Sequence, residues 1–252
     1  LAEQKWESII RGDLPDVVVA NIGTIDDLVI NVTIASIDGP GGVLGSTSID
    51  LQRTGSFLPA LASITIDSAD LSALSVDGTL SDLALHEIGH ALGFGTVWAD
   101  QRLIAGAGTS NPRFTGRQAT AEYNRVFRNS EPNVPVANVG GAGSSDAHWR
   151  ESIFGNELMT SVISSSSNPL SRVTVAALAD MGYQVDLNLA DPFTPPTTTT
   201  GSSSATSISG TSALQGRWVL STRPAQLVQP LSLGHARPWT LTGSNSANSH
   251  IP

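Results

Sequence analysis

Residues 79–92, TLSDLALHEIGHAL, constrain the chain more than any other stretch. They contain no proline, and Gly93 and Gly95 follow as stop signals, so the segment reads as one helix. Thr79 and Asp82, three apart, read as a capping box with Asp in place of Glu. Inside this helix His86 and His90 stand four apart, which puts both imidazoles on one face, about 6 Å apart along the axis.

His86-Glu87-Ile88-Gly89-His90 fits the pattern H-E-x-x-H. Two histidines so spaced can reach one metal ion, and Glu87 projects beside them without having to ligate it. Zinc lowers the pKa of water towards about 7, and a carboxylate can then take the proton as that water attacks a carbonyl. The same letters also occur on surface helices that bind no metal, so the pattern alone is not sufficient. A catalytic zinc site takes a third protein ligand and keeps a position open for water. In the short metzincin pattern a glycine and then a histidine follow. Here Gly93 stands where that glycine belongs, but Thr96 stands where the histidine would be. Either the third ligand lies elsewhere or the site is of another kind. His235 and His250 lie beyond a low-complexity stretch and are discounted. His148, just after the flexible segment 140–145, reads on its own as a surface-loop histidine.

Of the 252 residues, 40% are hydrophobic and 14% charged, enough to bury the core of one large domain. A net charge of −9 and a pI near 4.8 argue against nucleic acid or an anionic membrane as the main partner. Cysteine is absent, which excludes disulfides, a thiol nucleophile and cysteine-ligated zinc. No apolar run reaches the roughly 18 residues of a transmembrane helix. Sparse charge, many Ser, Thr and Gly and an acidic pI fit an exported protein, secreted or at the cell surface. The start at Leu1, without a methionine, is read as a processed one.

Elsewhere the pattern alternates between strand and helix. A helix is expected over 2–11, with Trp6, Ile9 and Ile10 at helical spacing and Gly12 as its stop. Strands are expected at Val17–Val19, at 28–37, where LVINVTIASI alternates, and at 62–67. Asp38 to Gly42 is a turn, and Asp70 to Leu74 a helical turn. Residues 97–147 are rich in Gly, Asn, Pro and Ser around one helix, 118–128. A further helix runs from Ser171, its N-cap, to Met181, with Gly182 as stop. In 194–210 only Ala205 and Ile208 are not Ser, Thr, Pro or Gly, so this is a linker. The stretch 211–252, with Pro224, Pro230, Pro238 and little periodicity, is read as a poorly structured tail. The folded unit is then 1–193.

HEIGHALGFGTVW, a long insertion, and AHWRESIFGNELMT together resemble the leishmanolysin family of metzincin metallopeptidases, and more narrowly its cysteine-free bacterial members. The likeness extends to WESIIRGDLPD, ASITIDSADL and LSRVTVAALADMGYQVDLNLADPF, so it spans essentially all of 1–193. In that family the third zinc-binding histidine is displaced from the helix motif by an insertion of several dozen residues, which implies His148, with 57 residues between it and His90. A methionine in a tight turn beneath the zinc is implied at Met159, in Glu157-Leu158-Met159-Thr160. Some metzincins carry a tyrosine two residues later as an extra ligand. Ser161 stands there, so three protein ligands are expected. The cysteine-rich C-terminal region of other members is missing.

The resemblance implies an α/β (α+β) metzincin-like zincin domain: a twisted mixed sheet packed on the H-E-x-x-H helix, with an irregular C-terminal subdomain. It implies a zinc endopeptidase acting on proteins or peptides. His86, His90 and His148 would hold one Zn²⁺, Glu87 would serve as general base, and Met159 would form the turn. Substrate would lie extended along a sheet edge supplied by residues near 43–48 or 62–67. Two rivals stay open. One is a thermolysin-like zincin whose third ligand is Glu122. The other is a non-catalytic adhesin or binding module keeping structural zinc. Glu151 and Glu157 are read as hydrogen-bonding residues rather than ligands. Asp67 and Asp70 are read as turn caps rather than calcium ligands, so calcium is without support.

Overall fold

The computed structural model describes residues 1–20, 22–141, 143–196, 226–228 and 240–243. The helices are α1 (Ala2–Ile9), α2 (Leu71–Val76), α3 (Leu80–Ala91), α4 (Arg117–Phe127), α5 (Glu151–Phe154) and α6 (Arg172–Met181), with a 3₁₀ turn at Leu187–Leu189. The strands are β1 (Val17–Val19), β2 (Gly23–Ile25), β3 (Val29–Ala35), β4 (Gly45–Arg53), β5 (Pro59–Asp67), β6 (Ile104–Ala105), β7 (Arg113–Phe114), β8 (Val134–Pro135), β9 (Gln226–Val228) and β10 (Thr240–Gly243).

The main sheet is mixed, in the order β10-β3-β5-β4-β9. β3 and β5 run parallel, β4 is antiparallel to β5, and β9 pairs with β4 only along Leu51–Arg53. Residues 45–50 of β4 therefore have no strand partner on their outer side among the described residues. Residues 62–67, the other candidate edge, lie in the central strand β5, paired on both sides. Strand β4 itself, GSTSIDLQR, alternates buried and half-buried positions through its first six residues. Of the stretch expected to be a linker, 194–210, residues 197–210 lie outside the described residues, as does most of 211–252.

α3 packs on β4 and β5, and α1 packs across α3. Trp6, 1% exposed, donates its indole N–H to the Leu85 carbonyl at 2.9 Å, pinning α1 to the middle of α3. α1 stops at Ile9 rather than near Gly12, because Ile10 turns extended to bridge Val185. α1 meets the segment after α6 where Lys5 Nζ approaches Asp191 at 2.6 Å and the Leu189 carbonyl at 2.9 Å. Buried Arg53 ties the sheet to the chain before it, donating to the carbonyls of Pro15 and Asp26, both at 2.9 Å, and to that of Asp27.

The capping box does not form. Thr79 sits in the helical region (φ −92°, ψ −2°), where its hydroxyl reaches no α3 N–H, and Asp82 accepts from the Asn168 amide at 2.7 Å instead. Ser171 does cap α6, accepting from the Thr174 N–H. The segment 97–147 carries more order than its composition predicts: besides α4 it forms a small sheet, β6-β7-β8. Its core is aromatic. Phe94, Trp98, Phe114, Trp149 and Phe154 pack together, mostly edge-to-face or tilted, at centroid separations of 4.6–5.6 Å, and all are fully buried. Burying a phenylalanine of this kind contributes about 1.5–3 kcal/mol.

Candidate metal centre

The C-terminal half of α3 is buried on every side, from His86 to Ala91, which is why its polar residues must find partners or a ligand inside the protein. Gly93, at φ +105°, reverses the chain after α3, so that the Phe94 carbonyl returns to His90 Nδ1 at 2.8 Å. His86 Nδ1 meets the Leu158 carbonyl at 2.6 Å, and His148 Nδ1 meets the Ser144 carbonyl at 3.0 Å. A carbonyl can only accept, so each Nδ1 carries the proton and each Nε2 presents a lone pair.

Those three Nε2 atoms converge. They lie 2.9 Å (His86–His90), 3.0 Å (His90–His148) and 3.3 Å (His86–His148) apart. Three lone pairs facing one another repel unless a cation sits among them. Tetrahedral ligands at about 2.0–2.1 Å from zinc lie about 3.4 Å apart, close to the observed spacing. Burial holds His86 and His148 well below the ordinary histidine range, with neighbouring imidazoles adding to it, and burial lowers His90 to about 4. All three are thus neutral at pH 7, the form that ligates metal. The donor set fits zinc, and each imidazole is oriented by a backbone carbonyl behind it.

His148 reaches the helix through contacts that its sequence context does not announce. Gly95, at φ +74°, leaves room for the Ala147 carbonyl, which any Cβ there would overlap. Trp149 then bonds back to the methionine turn, its N–H donating to the Met159 carbonyl at 2.9 Å. Its indole N–H donates to Thr174 Oγ1 at 2.8 Å. His148 is therefore fully buried rather than a surface-loop residue.

Met159 is also fully buried, and it packs on bare Gly89, where a Cβ would lie 2.8 Å from the methionine Sδ. Glu157 anchors this turn. Its Oε2 accepts from the Met159 N–H at 2.7 Å, and Oε1 accepts from Ser171 N–H (3.1 Å), Ser171 Oγ (2.8 Å) and Thr174 Oγ1 (2.5 Å). These bonds make Glu157 a structural hub, as its hydrogen-bonding reading expects.

Glu87 is fully buried beside the histidines, on α3, and β4 closes over it. Thr47 donates its hydroxyl to Oε2, while Oε1 has no hydrogen-bond partner among the described residues. Gly45 leaves the carboxylate its space, since a Cβ there would lie 2.6 Å from Oε1. Burial pushes Glu87 up to about 8, with the Thr47 hydrogen bond opposing it. A nearby metal cation would favour the ionised form. Gly45, Thr47 and Gly95 make the contacts that sequence reasoning missed. Their only signal is small size at positions that tertiary contact makes tight.

The other acidic candidates lie elsewhere. Partial burial works against ionisation of Glu122, but hydrogen bonds from Arg172 and Arg125 outweigh it and hold its carboxyl below the usual range. Glu122 Oε2 lies 3.0 Å from Arg172 Nε and 2.6 Å from an Arg125 guanidinium nitrogen, and it takes no part in the histidine cluster. Asp67 accepts backbone N–H groups from Ile37, Asp38, Gly39 and Ala69, and Asp70 accepts that of Gly41, so both are turn caps. Among the described residues, His86, His90 and His148 are the one group of three or more His, Cys, Asp or Glu placed to hold an ion.

A mixed α/β domain that gathers three buried histidines around an H-E-x-x-H helix has the fold and site of a metzincin-like zincin. A family model described as leishmanolysin matches residues 11–200, and the chain belongs to that family of metallopeptidases. No curated protein matches the chain. No helix among the described residues is long and apolar enough to cross a membrane.

Proposed function

We propose that the protein is a zinc endopeptidase that hydrolyses peptide bonds in proteins, with His86, His90 and His148 as the zinc ligands and Glu87 as the general base. The observation that carries this reading is the convergence of three neutral, carbonyl-oriented imidazole Nε2 atoms beside a buried carboxylate. When bound, zinc supplies a Lewis acid that brings the pKa of water to about 7 and polarises the scissile carbonyl.

Glu87 performs the proton transfers. Thr47 occupies Oε2, so Oε1 takes the proton of the attacking water as the new C–O bond forms. The same oxygen then gives that proton to the amine nitrogen as the C–N bond breaks, which returns Glu87 to its starting state. Gly45 and Thr47 hold the carboxylate at the start of β4. The start of β4, ahead of the Leu51–Arg53 stretch that pairs with β9, is read as the backbone edge along which an extended peptide adds as a strand. All four side chains are at most 1% exposed, which keeps bulk water from the carboxylate and the imidazoles.

The test is zinc stoichiometry and casein cleavage for the wild type, Glu87→Gln and His148→Ala. The reading expects one zinc per wild-type chain, zinc without turnover in Glu87→Gln, and sharply reduced zinc in His148→Ala. Full cleavage by Glu87→Gln, or unchanged zinc in His148→Ala, would sink it.

A further inference from the structure

A cavity of about 420 Å³ opens where α4, the start of α6 and residues 187–193 meet, and no residue of the histidine centre lines it. Three of its lining residues are arginines, Arg125, Arg128 and Arg172. In a chain with 13 Lys and Arg against 22 Asp and Glu, this is a local reversal of sign. The nearby acids are already matched. Glu122 lies between Arg125 and Arg172, Asp191 pairs with Lys5 at 2.6 Å, and Asp186 pairs with Arg11 at 3.5 Å. Arg125, Arg128, Arg172, Lys5 and Arg11 thus face these three acids, five charges against three, which leaves two positive charges over.

Arg172 is the first residue of α6, an end where the helix dipole disfavours a cation. Glu122 answers for that placement, accepting from Arg172 Nε at 3.0 Å and Nη2 at 3.2 Å. Arg128 has no such account. It ends α4 in the left-handed region (φ 53°, ψ 43°), where glycine or asparagine is the ordinary choice. Its side chain is exposed and makes no hydrogen bond or ion pair among the described residues. Nor is it needed to offset the α4 dipole, since Arg125 already puts a cation in the last turn. Beside these cations the lining is apolar at Val126, Leu187 and Phe193. Phe193 is held by Phe127 and Phe154, at 6.1 and 6.4 Å between ring centroids.

The occupant that fits is an anion carrying apolar surface, and it comes from outside this chain's side chains, because residues 194–252 contain no Asp or Glu. A nucleic acid or an anionic membrane would bring a long row of charges against a protein of net charge −9. A short peptide segment brings one or two carboxylates, which arginine holds through short, charge-assisted hydrogen bonds. We propose that this cavity docks an acidic segment of a protein partner: an Asp or Glu carboxylate on the arginines, and a neighbouring apolar side chain on Val126 and Phe193. Arg128 supplies the free guanidinium. Arg125 and Arg172 add N–H donors that Glu122 and the Leu187 carbonyl do not exhaust. The docking needs no step of peptide hydrolysis and so stands apart from the peptidase reading.

The test is fluorescence anisotropy of labelled peptides on the zinc-loaded full chain carrying Glu87→Gln, which keeps the probes uncleaved. Three matched peptides are compared, centred on Glu-Leu-Glu, Gln-Leu-Gln and Glu-Ser-Glu. The acidic Leu peptide is expected to bind about tenfold tighter than its amide counterpart, and the Ser peptide more weakly than the Leu peptide. Arg128→Gln weakens the acidic Leu peptide by about threefold to fivefold, and Arg128→Glu by more. Arg102→Gln, which removes the same charge from an exposed residue outside the cavity, leaves it unchanged. Should Arg128→Gln fail to fold by circular dichroism, Arg125→Gln carries the same comparison. Equal binding of the acidic and amide peptides overturns the proposal. So does an equal loss in Arg102→Gln, which would mean that only net charge is sensed. Saturable binding of inorganic phosphate with none of the acidic peptide overturns it in favour of a small anion.

Discussion

The Ala147 carbonyl rests against the bare α-carbon of Gly95, and this contact carries His148 to the helix that holds His86 and His90. Because Gly95 also sits at φ +74°, an alanine there is opposed by both sterics and backbone conformation. Gly95→Ala is expected to displace His148 while leaving α3 folded. Zinc affinity falls roughly 10–100-fold, as when support behind a metal ligand is removed. Isothermal titration with zinc, alongside circular dichroism, checks this; unchanged affinity counts against the contact's role.

Glu87→Gln keeps the shape of the side chain and the Thr47 hydrogen bond but cannot take a proton. Turnover is expected to drop by about 10²–10⁴-fold with zinc still bound. Casein hydrolysis and elemental analysis on the same sample decide it.

Removing zinc leaves three lone pairs crowded at about 3 Å, so the metal-free protein should be less stable. At free zinc a thousandfold above Kd, the ion contributes about 4 kcal/mol. Thermal unfolding with and without chelator measures this, and a Tm indifferent to chelator contradicts it.

Glu157→Ala strands the Met159 N–H and two buried hydroxyls, each costing about 1–3 kcal/mol. The unfolding free energy in urea should fall by about 3 kcal/mol or more, with Glu157→Gln recovering part of it. A loss under about 1 kcal/mol would show that the turn holds without its anchor.

Asp67 gives a pH signature. The Ala69 N–H foremost, with those of Asp38, Gly39 and Ile37, holds its carboxyl below the usual range, against the opposing effect of burial. The folded pKa lies below the unfolded value of about 3.9. Its stabilisation is therefore complete above that value and is lost as pH falls through the folded pKa. Asp67→Asn should be less stable than wild type at pH 7, the gap narrowing towards about pH 3. A constant gap across this range would rule out the assignment.

The H-E-x-x-H helix was legible because helical periodicity is local: four residues fix the relation of His86 to His90 whatever surrounds them. His148 was legible only through resemblance, since 57 residues separate it from His90 and no periodicity spans such a gap. The capping box at Thr79 failed because a distant residue, Asn168, took the Asp82 carboxylate. The contacts that Gly45, Thr47 and Gly95 make with the site escaped notice for a related reason. Their roles exist only once β4 and the His148 loop are laid against α3, and neither pairing is written in any window of sequence. The small sheet β6-β7-β8 has strands of two residues each, too short to carry an alternating pattern.

The stretch from Gly95 to Ala147 leaves and returns at one point, so its ends stay closed whatever lies between them. Lengthening a flexible loop adds little once closure is set, about 0.6 kcal/mol for each doubling. Its outer tip, Gly106–Ser110, is exposed. That tip is nonetheless tied back, Gly108 donating to Asp146 Oδ2 at 2.9 Å and the Ser110 carbonyl accepting from the Asn138 amide at 2.7 Å, so a change there is felt two residues from His148.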